Sequence, residues 1–332
     1  MNKQITLSAL TDELAQTSTK KSSFLDQINR IIPWGEWITI IKPHYYKGER
    51  GNKPYDLERM LRIYVIQNLY NLSDMAIMNE IIDSRSFSLF CGIDSSNQVP
   101  DGDTIGRFRA LLTKHGLQKQ IFENVTDQLL ARGLILMKGT IVDSTIISAP
   151  KSTKNRDRKR DTEAGHTRKG TNYYFGYKAH TGADKDTGLV HTLEVTPANE
   201  HDVTVLPRLL TRAEDTVYGD SGYIGAEKRE DAIVHNDFGE TIRYRINRRP
   251  SQRKHKSIRS QAQIKRRERE KSSIRAKIEH VFGVVKVLFG FRKTRYKGLL
   301  NQCSKINMVF ALANLYMADK RFAVTGSLCP NT

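Results

Sequence analysis

The stretch GTIVDSTIISA, Gly139 to Ala149, is the point at which the sequence changes from a helical to a mixed pattern. Its many β-branched residues predict a strand. Asp143 interrupts this apolar run, and a carboxylate inside a buried strand costs free energy unless its charge is compensated. For a lone aspartate, bonds to backbone amides or to an arginine are the usual explanation, so Asp143 by itself does not predict a site.

Downstream of this strand, the pattern alternates between strands and helices. YYFGYKAHTGA and GLVHTLEVTPA predict a hairpin, and TVYGD and ETIRYRIN predict two further strands. DVTVLPRLLTRA and AEKREDAIVHN predict helices, and two more helices follow, the last of them apolar. The polar, basic stretch KSTKNRDRKRDTEAGHTRKG is expected to be a mobile loop. We therefore predict an α/β fold with a mixed sheet and flanking helices.

Upstream of the strand, residues 24–136 show a mostly helical pattern. A turn is expected at 71–73, and a helix in PDGDTIGRFRALL is expected to be capped by Asp103 or Thr104. Several short helices joined by tight turns are typical of helix-turn-helix DNA readers. An ordinary helical subdomain that supports a neighbouring domain gives the same pattern, and the sequence favours neither interpretation.

The chain of 332 residues carries 54 Lys+Arg against 36 Asp+Glu, a formal net charge of +18. Such an excess indicates a polyanionic partner, most often nucleic acid. The first residues contain no apolar signal-peptide core, and no stretch of about 18 apolar residues occurs. We therefore expect a cytoplasmic protein without membrane association. Three widely separated cysteines, Cys91, Cys303 and Cys329, argue against a disulfide framework or a cysteine zinc site.

A second aspartate, Asp220, ends the predicted strand in VYGDSGYIG, between Gly219 and Gly222. Small neighbours leave room for the backbone of a substrate. The GDSG sequence also suits a turn in which the aspartate bonds to a following backbone amide.

A glutamate, Glu279, lies within IRAKIEHVFGVVK, where a helix sets Arg275, Glu279 and Lys286 within a narrow arc beside an apolar face. Taken alone, an Arg275–Glu279 pair spaced i,i+4 explains the glutamate. Together with Asp143 and Asp220, however, it predicts a site for two Mg²⁺ ions, for which Mn²⁺ would substitute, because these cations prefer carboxylate oxygen. Two such ions can activate an attacking oxygen and stabilise a leaving one.

The C-terminal pattern x₂-Arg-x₃-Glu-x₆-Lys is formed by Arg275, Glu279 and Lys286, with Ser272 at the position three residues before the arginine. Other informative segments are FLDQINRIIPW, YNLSDMAI, PDGDTIGRFR, GTIVDSTIISAP, YYFGYKAH, ANEHD, YGDSGY and FRKTRYKGLL. On these segments, nearly the whole chain resembles the bacterial insertion-sequence transposases with a DDE triad, of the group called IS-five. The family has a tyrosine where this chain has Ser272.

This resemblance implies an RNase H-like catalytic fold in which Asp143, Asp220 and Glu279 are the catalytic metal ligands. Arg275 and Lys286 would hold DNA phosphate. The resemblance also implies cleavage of double-stranded DNA at terminal inverted repeats, followed by attack of the freed 3′-OH on target DNA, and we expect a homodimer on paired ends. The predicted division is a flexible N-terminus (1–23), a helical DNA-binding domain (24–136), a catalytic domain (137–320) and a tail (321–332).

Further DNA contacts are predicted at Lys178 and His180 in YFGYKAH, and at Arg248 and Arg249 in the basic run 243–271. Solvated surface is the alternative for the basic run, and core packing with a solvated lysine is the alternative for YFGYKAH. Two other functions fit the sequence: a non-catalytic DNA-binding protein derived from a transposase, and an RNase H-like nuclease.

Overall fold

The computed structural model describes residues 18–48, 53–154, 158–249 and 258–325. Its α-helices are α1 Lys20–Ile31, α2 Trp34–Ile41, α3 Leu57–Leu69, α4 Asp74–Asp83, α5 Arg85–Cys91, α6 Gly102–Lys114, α7 Leu117–Ala131, α8 Asp202–Leu209, α9 Ile258–Gly283 and α10 Leu299–Thr325. Its strands are β1 Thr140–Ser148, β2 Gly165–Lys169, β3 Asn172–Asp184, β4 Val190–Pro197, β5 Thr216–Gly219 and β6 Arg243–Ile246.

Side-chain caps begin several helices of the N-terminal half. Ser73 accepts a hydrogen bond from Ala76 N before α4, which confirms the expected turn. Asp101 accepts from Thr104 N at 2.6 Å before α6, so the cap lies two residues earlier than the predicted Asp103. These carboxylate and hydroxyl oxygens satisfy backbone N–H groups that have no partner within the helix.

β1 lies at the centre of a mixed sheet with the order β2-β3-β1-β5-β6, and β4 also pairs with β3. β3 is antiparallel to β1, β2 and β4, whereas β5 runs parallel to β1 and β6. β3 is long enough for two partners along one edge, because 172–176 pair with β2 and 177–183 pair with β4. The predicted fold class, a mixed α/β sheet with flanking helices preceded by a helical region, is confirmed.

Two segments differ from the sequence prediction. The stretch expected to be a loop contains β2, whose polar residues GHTRK pair with β3 without an apolar pattern. AEKREDAIVHN, expected to be a helix, holds a short 3₁₀ turn at Ala226–Lys228. The later part of this segment is not helical, because its backbone forms hydrogen bonds with residues further along the chain. Ile242 N donates to Val234 O at 2.8 Å, and Asn236 N donates to Glu240 O at 2.9 Å.

Alternate residues of the central strands face two different cores, as the pleat requires. Ile141 and Tyr218 belong to the larger core, which also contains residues of α9 and α10. Val142 and Val217 belong to a smaller core with residues of α8. The larger core continues into the N-terminal helices, so the helical region and this face of the sheet share one apolar interior.

Helix α10 connects the two halves. Residues 304–319 of this helix are buried, and it packs against α1, α3 and α7 as well as β4. This helix is therefore surrounded by other elements and lies in the interior, although it contains a few polar residues. No helix within the described ranges has both the length and the apolarity needed to cross a membrane.

One polar residue of α10, Asn314, is completely buried against the sheet. Its Oδ1 accepts from Val190 N at 3.0 Å, and its Nδ2 donates to Val190 O at 2.7 Å. The amide therefore binds both backbone groups at the start of β4.

Replacing Asn314 with leucine would leave both Val190 groups buried without a partner. Each such group costs about 1–3 kcal/mol, so we expect Asn314→Leu to lower the free energy of unfolding by about 2–5 kcal/mol in a urea titration. Asn307→Leu is the matched control, because Asn307 Nδ2 donates to Cys303 O within the same helix. Equal losses in the two variants would contradict this role of Asn314.

Candidate functional site

Asp143 lies within β1, and Asp220 directly follows the neighbouring parallel strand β5. The register pairs Ile141 with Tyr218, and two residues further along it sets Asp143 beside Asp220. Neighbouring strands are about 4.8 Å apart. Because side chains alternate along a strand, both aspartates lie on the face of Ile141 and Tyr218, the face covered by α9. The structure thus brings together two of the three predicted carboxylates.

The Asp143 carboxylate is largely buried, and an arginine faces it. Its Oδ2 accepts from Arg275 Nη2 at 3.2 Å, and its Oδ1 accepts from Ser144 N at 2.8 Å. Burial raises the pKa of the Asp143 carboxyl, Arg275 and the Ser144 amide oppose this rise, and the charge of Asp220 adds to it. The net shift of the pKa is upward, so the cost of burying the charged form outweighs the stabilisation that Arg275 and the Ser144 amide supply.

Asp220 occupies the N-terminus of a 3₁₀ turn, Ser221–Tyr223, where its Oδ1 accepts from Gly222 N at 2.7 Å. This is the turn bond that the GDSG sequence suggests. A Cβ at Gly222 would lie 2.9 Å from Asp220 Oδ1, and one at Gly219 would lie 2.9 Å from Ile246 Cδ1. The two glycines therefore make room for the carboxylate and for the packing beneath it, whereas approach of a substrate backbone stays a prediction.

Arg275 is held on its second side by an asparagine. Arg275 Nη1 donates to Asn247 Oδ1 at 3.3 Å. Asn247 follows β6, and its backbone N donates to Gly219 O at 3.0 Å, next to Asp220. Asn247 thus connects the arginine that faces one aspartate to the backbone that carries the other.

Glu268 in turn fixes Asn247. This glutamate is 4% exposed, although it lies in a strongly basic helix. Its Oε2 accepts from Asn247 Nδ2 at 3.0 Å and from Arg248 N at 2.9 Å, and its Oε1 accepts from Lys271 Nζ at 2.9 Å. The hydrogen bonds therefore run without a break from Glu268 through Asn247 and Arg275 to Asp143.

Glu279 lies on α9 one turn after Arg275, and its side chain is exposed. Throughout 18–48, 53–154, 158–249 and 258–325, no three His, Cys, Asp or Glu side chains form a group that could hold a metal ion. Glu279 therefore does not complete a cluster with Asp143 and Asp220 in this conformation, and the three-residue ligand set stays a prediction. The guanidinium of Arg275 is directed to Asp143 and Asn247.

Lys286 lies two turns beyond Glu279, in a π-helical turn, Val284–Leu288, that continues α9. Burial lowers the pKa of Lys286, and the charges of Lys169 and Arg292 lower it further. Lys286 is thus a half-buried cation beside other cations, and its predicted phosphate contact remains a prediction.

Lys178 and His180 point into the protein. Lys178 Nζ donates to Glu200 O at 2.7 Å and to Asp202 Oδ1 at 3.1 Å. His180 is completely buried, its Nε2 lies 2.9 Å from Thr196 Oγ1, and burial lowers its pKa to about 4. In this conformation both side chains order the start of α8 and are not presented to solvent, so their DNA contact stays a prediction.

A cleft of about 500 Å³ lies between β6 and α9. Arg248 lines this cleft, and Arg249, the next residue in the chain, is exposed. The other charged residues of its lining are the cations Arg245, Arg267 and Lys271 and the acids Glu268 and Glu270. The excess of cations suits an anionic strand, which favours the predicted role of Arg248 and Arg249.

The donor set beneath α9 fits a hard divalent cation in part. Two aspartates offer carboxylate oxygens on adjacent backbones, and burial, with a smaller contribution from the Asp220 charge, raises the pKa of Asp143. Divalent cations prefer such oxygen donors, and a bound cation would stabilise the charged form of both carboxylates. Among the residues that the structure describes, a third carboxylate does not join the pair in this conformation.

Sequence reasoning missed Asn247 and Glu268 as parts of the site. Glu268 carried one signal, because it is one of only two acids between 243 and 271. Asn247 carried none, since a polar residue after a strand is ordinary in a loop. Their roles depend on contacts between β6 and α9 that sequence spacing does not determine.

Comparison with known proteins gives two matches. A family model described as "Transposase DDE domain" matches residues 136–315, which is more than half of the chain. A second, described as "Transposase domain (DUF772)", matches residues 12–111. The first matched range includes Asp143, Asp220 and Glu279. No solved structure matches the chain.

We expect Asp143→Asn to stabilise the metal-free protein at neutral pH. An acid whose pKa is higher in the folded than in the unfolded state reduces stability as the pH rises through that interval. The variant should therefore melt at a higher temperature than the wild type at pH 7 in the presence of a chelator. The gain should shrink as the pH falls toward about 4, near the unfolded pKa of aspartate. Thermal unfolding followed across this pH range measures the effect.

The control for this measurement is Asp127→Asn, which removes an exposed aspartate on α7 and should leave the melting temperature nearly unchanged. A lower melting temperature for Asp143→Asn at pH 7 would mean that the Arg275 ion pair outweighs the cost of burying the charge.

Proposed function

Because the chain belongs to the insertion-sequence transposases with a DDE domain, we propose that it cleaves DNA at the terminal inverted repeats of its element and joins the freed 3′-OH ends to target DNA. The observation that supports this most directly is the placement of Asp143 beside Asp220 under a helix that carries Arg275 and Glu279. Membership of the IS-five group is part of the proposal, on the motifs named above.

We assign metal binding to Asp143 and Asp220, with Glu279 as the third ligand. Divalent ions held there, Mg²⁺ or Mn²⁺, would activate the attacking oxygen and neutralise charge on the leaving oxygen. Glu279 lies on the same helix as Arg275 and is exposed at this end of the sheet. Bringing its carboxylate to the aspartates requires a change from the described conformation.

The cations of α9 and its continuation bind and orient the DNA in this proposal. Arg275 has a planar guanidinium that can hold a phosphate with two donors, and Lys286 adds a compact charge two turns away. The Arg275 Nε–H is buried and has no hydrogen-bond partner among the described residues, so the guanidinium retains donor capacity beyond Asp143 and Asn247. Lys178 and His180 would act indirectly, by ordering the segment before α8.

We further propose that residues 24–136 recognise the element ends, that 137–320 form the RNase H-like catalytic domain, and that 1–23 and 321–332 are terminal segments. α1 begins at Lys20 and α10 continues to Thr325, so helical structure extends a few residues past both proposed boundaries. Residues 1–17 and 326–332 lie outside the described residues. Pairing two DNA ends calls for a homodimer.

The proposed function is tested by incubating the protein with Mg²⁺, duplex DNA that carries the ends of its own element, and a target plasmid. We expect cleavage at the ends followed by joining. Asp143→Asn, Asp220→Asn and Glu279→Gln should each reduce both steps by about 10³-fold or more, because each removes a proposed ligand. Binding of the same DNA should stay within a few-fold of the wild type in an anisotropy titration.

Glu230→Gln is the matched control, since it removes an exposed carboxylate of the same region and should retain full activity. Cleavage without joining would instead identify a nuclease, and binding without cleavage by the wild type would identify a non-catalytic DNA-binding protein. Full activity of Glu279→Gln would remove this residue from the ligand set.

Asn247→Ala should slow cleavage with little effect on DNA affinity, because it releases Arg275 Nη1 without removing a proposed ligand. A loss of about 1.4 kcal/mol of transition-state stabilisation corresponds to a tenfold slower rate, and we expect at least that reduction in single-turnover cleavage. Ser272→Ala, which removes one 3.3 Å contact to Asn247 Nδ2, serves as the control and should retain nearly full activity. Equal rates for Asn247→Ala and the wild type would contradict a positioning role.

A further inference from the structure

The hairpin formed by β2 and β3 extends past the end of β1. β1 ends at Ser148, opposite Gly176, whereas β3 begins four residues earlier, at Asn172, and pairs there with β2. The base of the hairpin is fixed against the sheet. Ala149 N donates to Phe175 O at 2.8 Å, and a Cβ at Gly176 would clash with Ile147 O. The far end therefore projects from a rigid base.

This projecting end presents an aromatic ring and two cations. Arg168 pairs with Tyr173 across the hairpin, and its guanidinium lies 5.4 Å from the centroid of the Tyr173 ring. Arg168 Nε also donates to Gly170 O at 2.9 Å, which fixes the arginine over the turn. Tyr173 is 70% exposed, and Lys169 is exposed next to it. Packing within the chain does not account for an exposed tyrosine in this position.

Two further cations lie close to the hairpin. Ser148 N donates to Arg292 O at 3.1 Å, so Arg292 lies where β1 ends, at the base of the hairpin. Burial lowers the pKa of Lys286, and the charges of Lys169 and Arg292 lower it further. Arg292 Nε donates to Lys286 O at 2.9 Å, so the two residues are held together. Within the part of the chain that the structure describes, none of Lys169, Lys286 and Arg292 forms an ion pair with a carboxylate.

The acids at the base of the hairpin are engaged elsewhere. Asp161 Oδ2 accepts from Tyr177 OH at 2.7 Å and from Gly298 N at 3.0 Å, and Glu163 accepts from Leu299 N. These bonds attach the segment before β2 to the start of α10. Like charges held together without a counter-charge repel one another, and a bound polyanion would remove that cost.

We propose that this tip surface, which consists of Arg168, Lys169, Tyr173, Lys286 and Arg292, binds the phosphate backbone of DNA that flanks the bond to be cut. The inference rests on the proposed function. Lys286 is seven residues from Glu279, or about 10 Å along a helix, and this length spans about three base pairs of duplex. The tip surface therefore contacts the DNA next to the reacting phosphate and holds it along α9.

The test measures DNA binding without catalysis, in a chelator, on the full chain. Lys169→Ala removes one cation from an exposed position. The affinity for a duplex that carries the element end and its flanking DNA is measured by anisotropy at several salt concentrations. The logarithm of the binding constant falls linearly with the logarithm of the salt concentration, and each lost phosphate contact reduces the magnitude of this slope by about 0.9. We expect that reduction for Lys169→Ala. Arg229→Ala is the matched control, because its guanidinium already pairs with Asp231 at 2.8 Å, and its slope should equal that of the wild type.

Tyr173→Ala shows which form of DNA the tip surface holds. If the flanking DNA is single-stranded, loss of stacking on the ring should weaken binding to a gapped substrate by about fivefold or more. If it is duplex, Tyr173→Ala should leave the affinity nearly unchanged while Lys169→Ala still lowers the slope. Melting temperatures equal to that of the wild type would confirm that both variants fold.

An unchanged slope for Lys169→Ala, with affinity equal to that of the wild type, would overturn the proposal even if end cleavage is observed. Conversely, the absence of cleavage by the wild type would overturn the proposed function, while a reduced slope would still assign the tip surface to DNA binding. The variant Lys169→Glu gives a second measurement. Reversing the charge should reduce the magnitude of the slope more than removing the charge does.

Discussion

The charges of two neighbouring carboxylates, Asp143 in β1 and Asp220 directly after β5, are the constraint on which the arrangement of α9 and the sheet depends. Asp143 and Asp220 repel each other, and Arg275 of α9 forms an ion pair with Asp143. For the arginine to reach Asp143, α9 must cross the sheet at this point, and the buried side chains of Ile278 and Val281 hold it there. Asn247 then couples α9 to β6 and to the backbone before Asp220. The contacts of Arg275 and Asn247 thus fix the position of α9 relative to β1, β5 and β6.

This arrangement is poorly suited to stability alone. A partly buried ion pair is often no better for stability than apolar residues of the same volume, and burial raises the pKa of Asp143 although Arg275 opposes the rise. Within the described part of the chain, no group accepts a hydrogen bond from the buried Arg275 Nε–H. Packing alone therefore does not explain why charged groups occupy this position.

The sequence predicted most of the sheet and less of the site. The β-branched and aromatic residues of β1 and β5 identify these two strands directly. Because the two strands are neighbours in the sheet, the two aspartates lie close together, as the sequence predicted. β2 escaped prediction because its strand character comes from pairing with β3, not from its own residues. The 226–236 segment has helical composition, but its backbone bonds to distant residues. The roles of Glu268 and Asn247 could not be predicted, because they depend on the contact between α9 and β6. Without that contact, nothing indicates which acid of the basic run is buried or which residue it binds.

The central position of α10 has a consequence for biosynthesis. This helix is translated after every other described element, yet α1, α3, α7 and β4 all pack against it, and Gln27 near the start of the chain donates to Asp319 near its end at 2.7 Å. Until this helix has left the ribosome, the helical half and the sheet each expose the apolar surfaces that it will cover. A chain interrupted by a stop codon before Leu299 would lack the helix that joins the two halves, so neither half would keep its buried core.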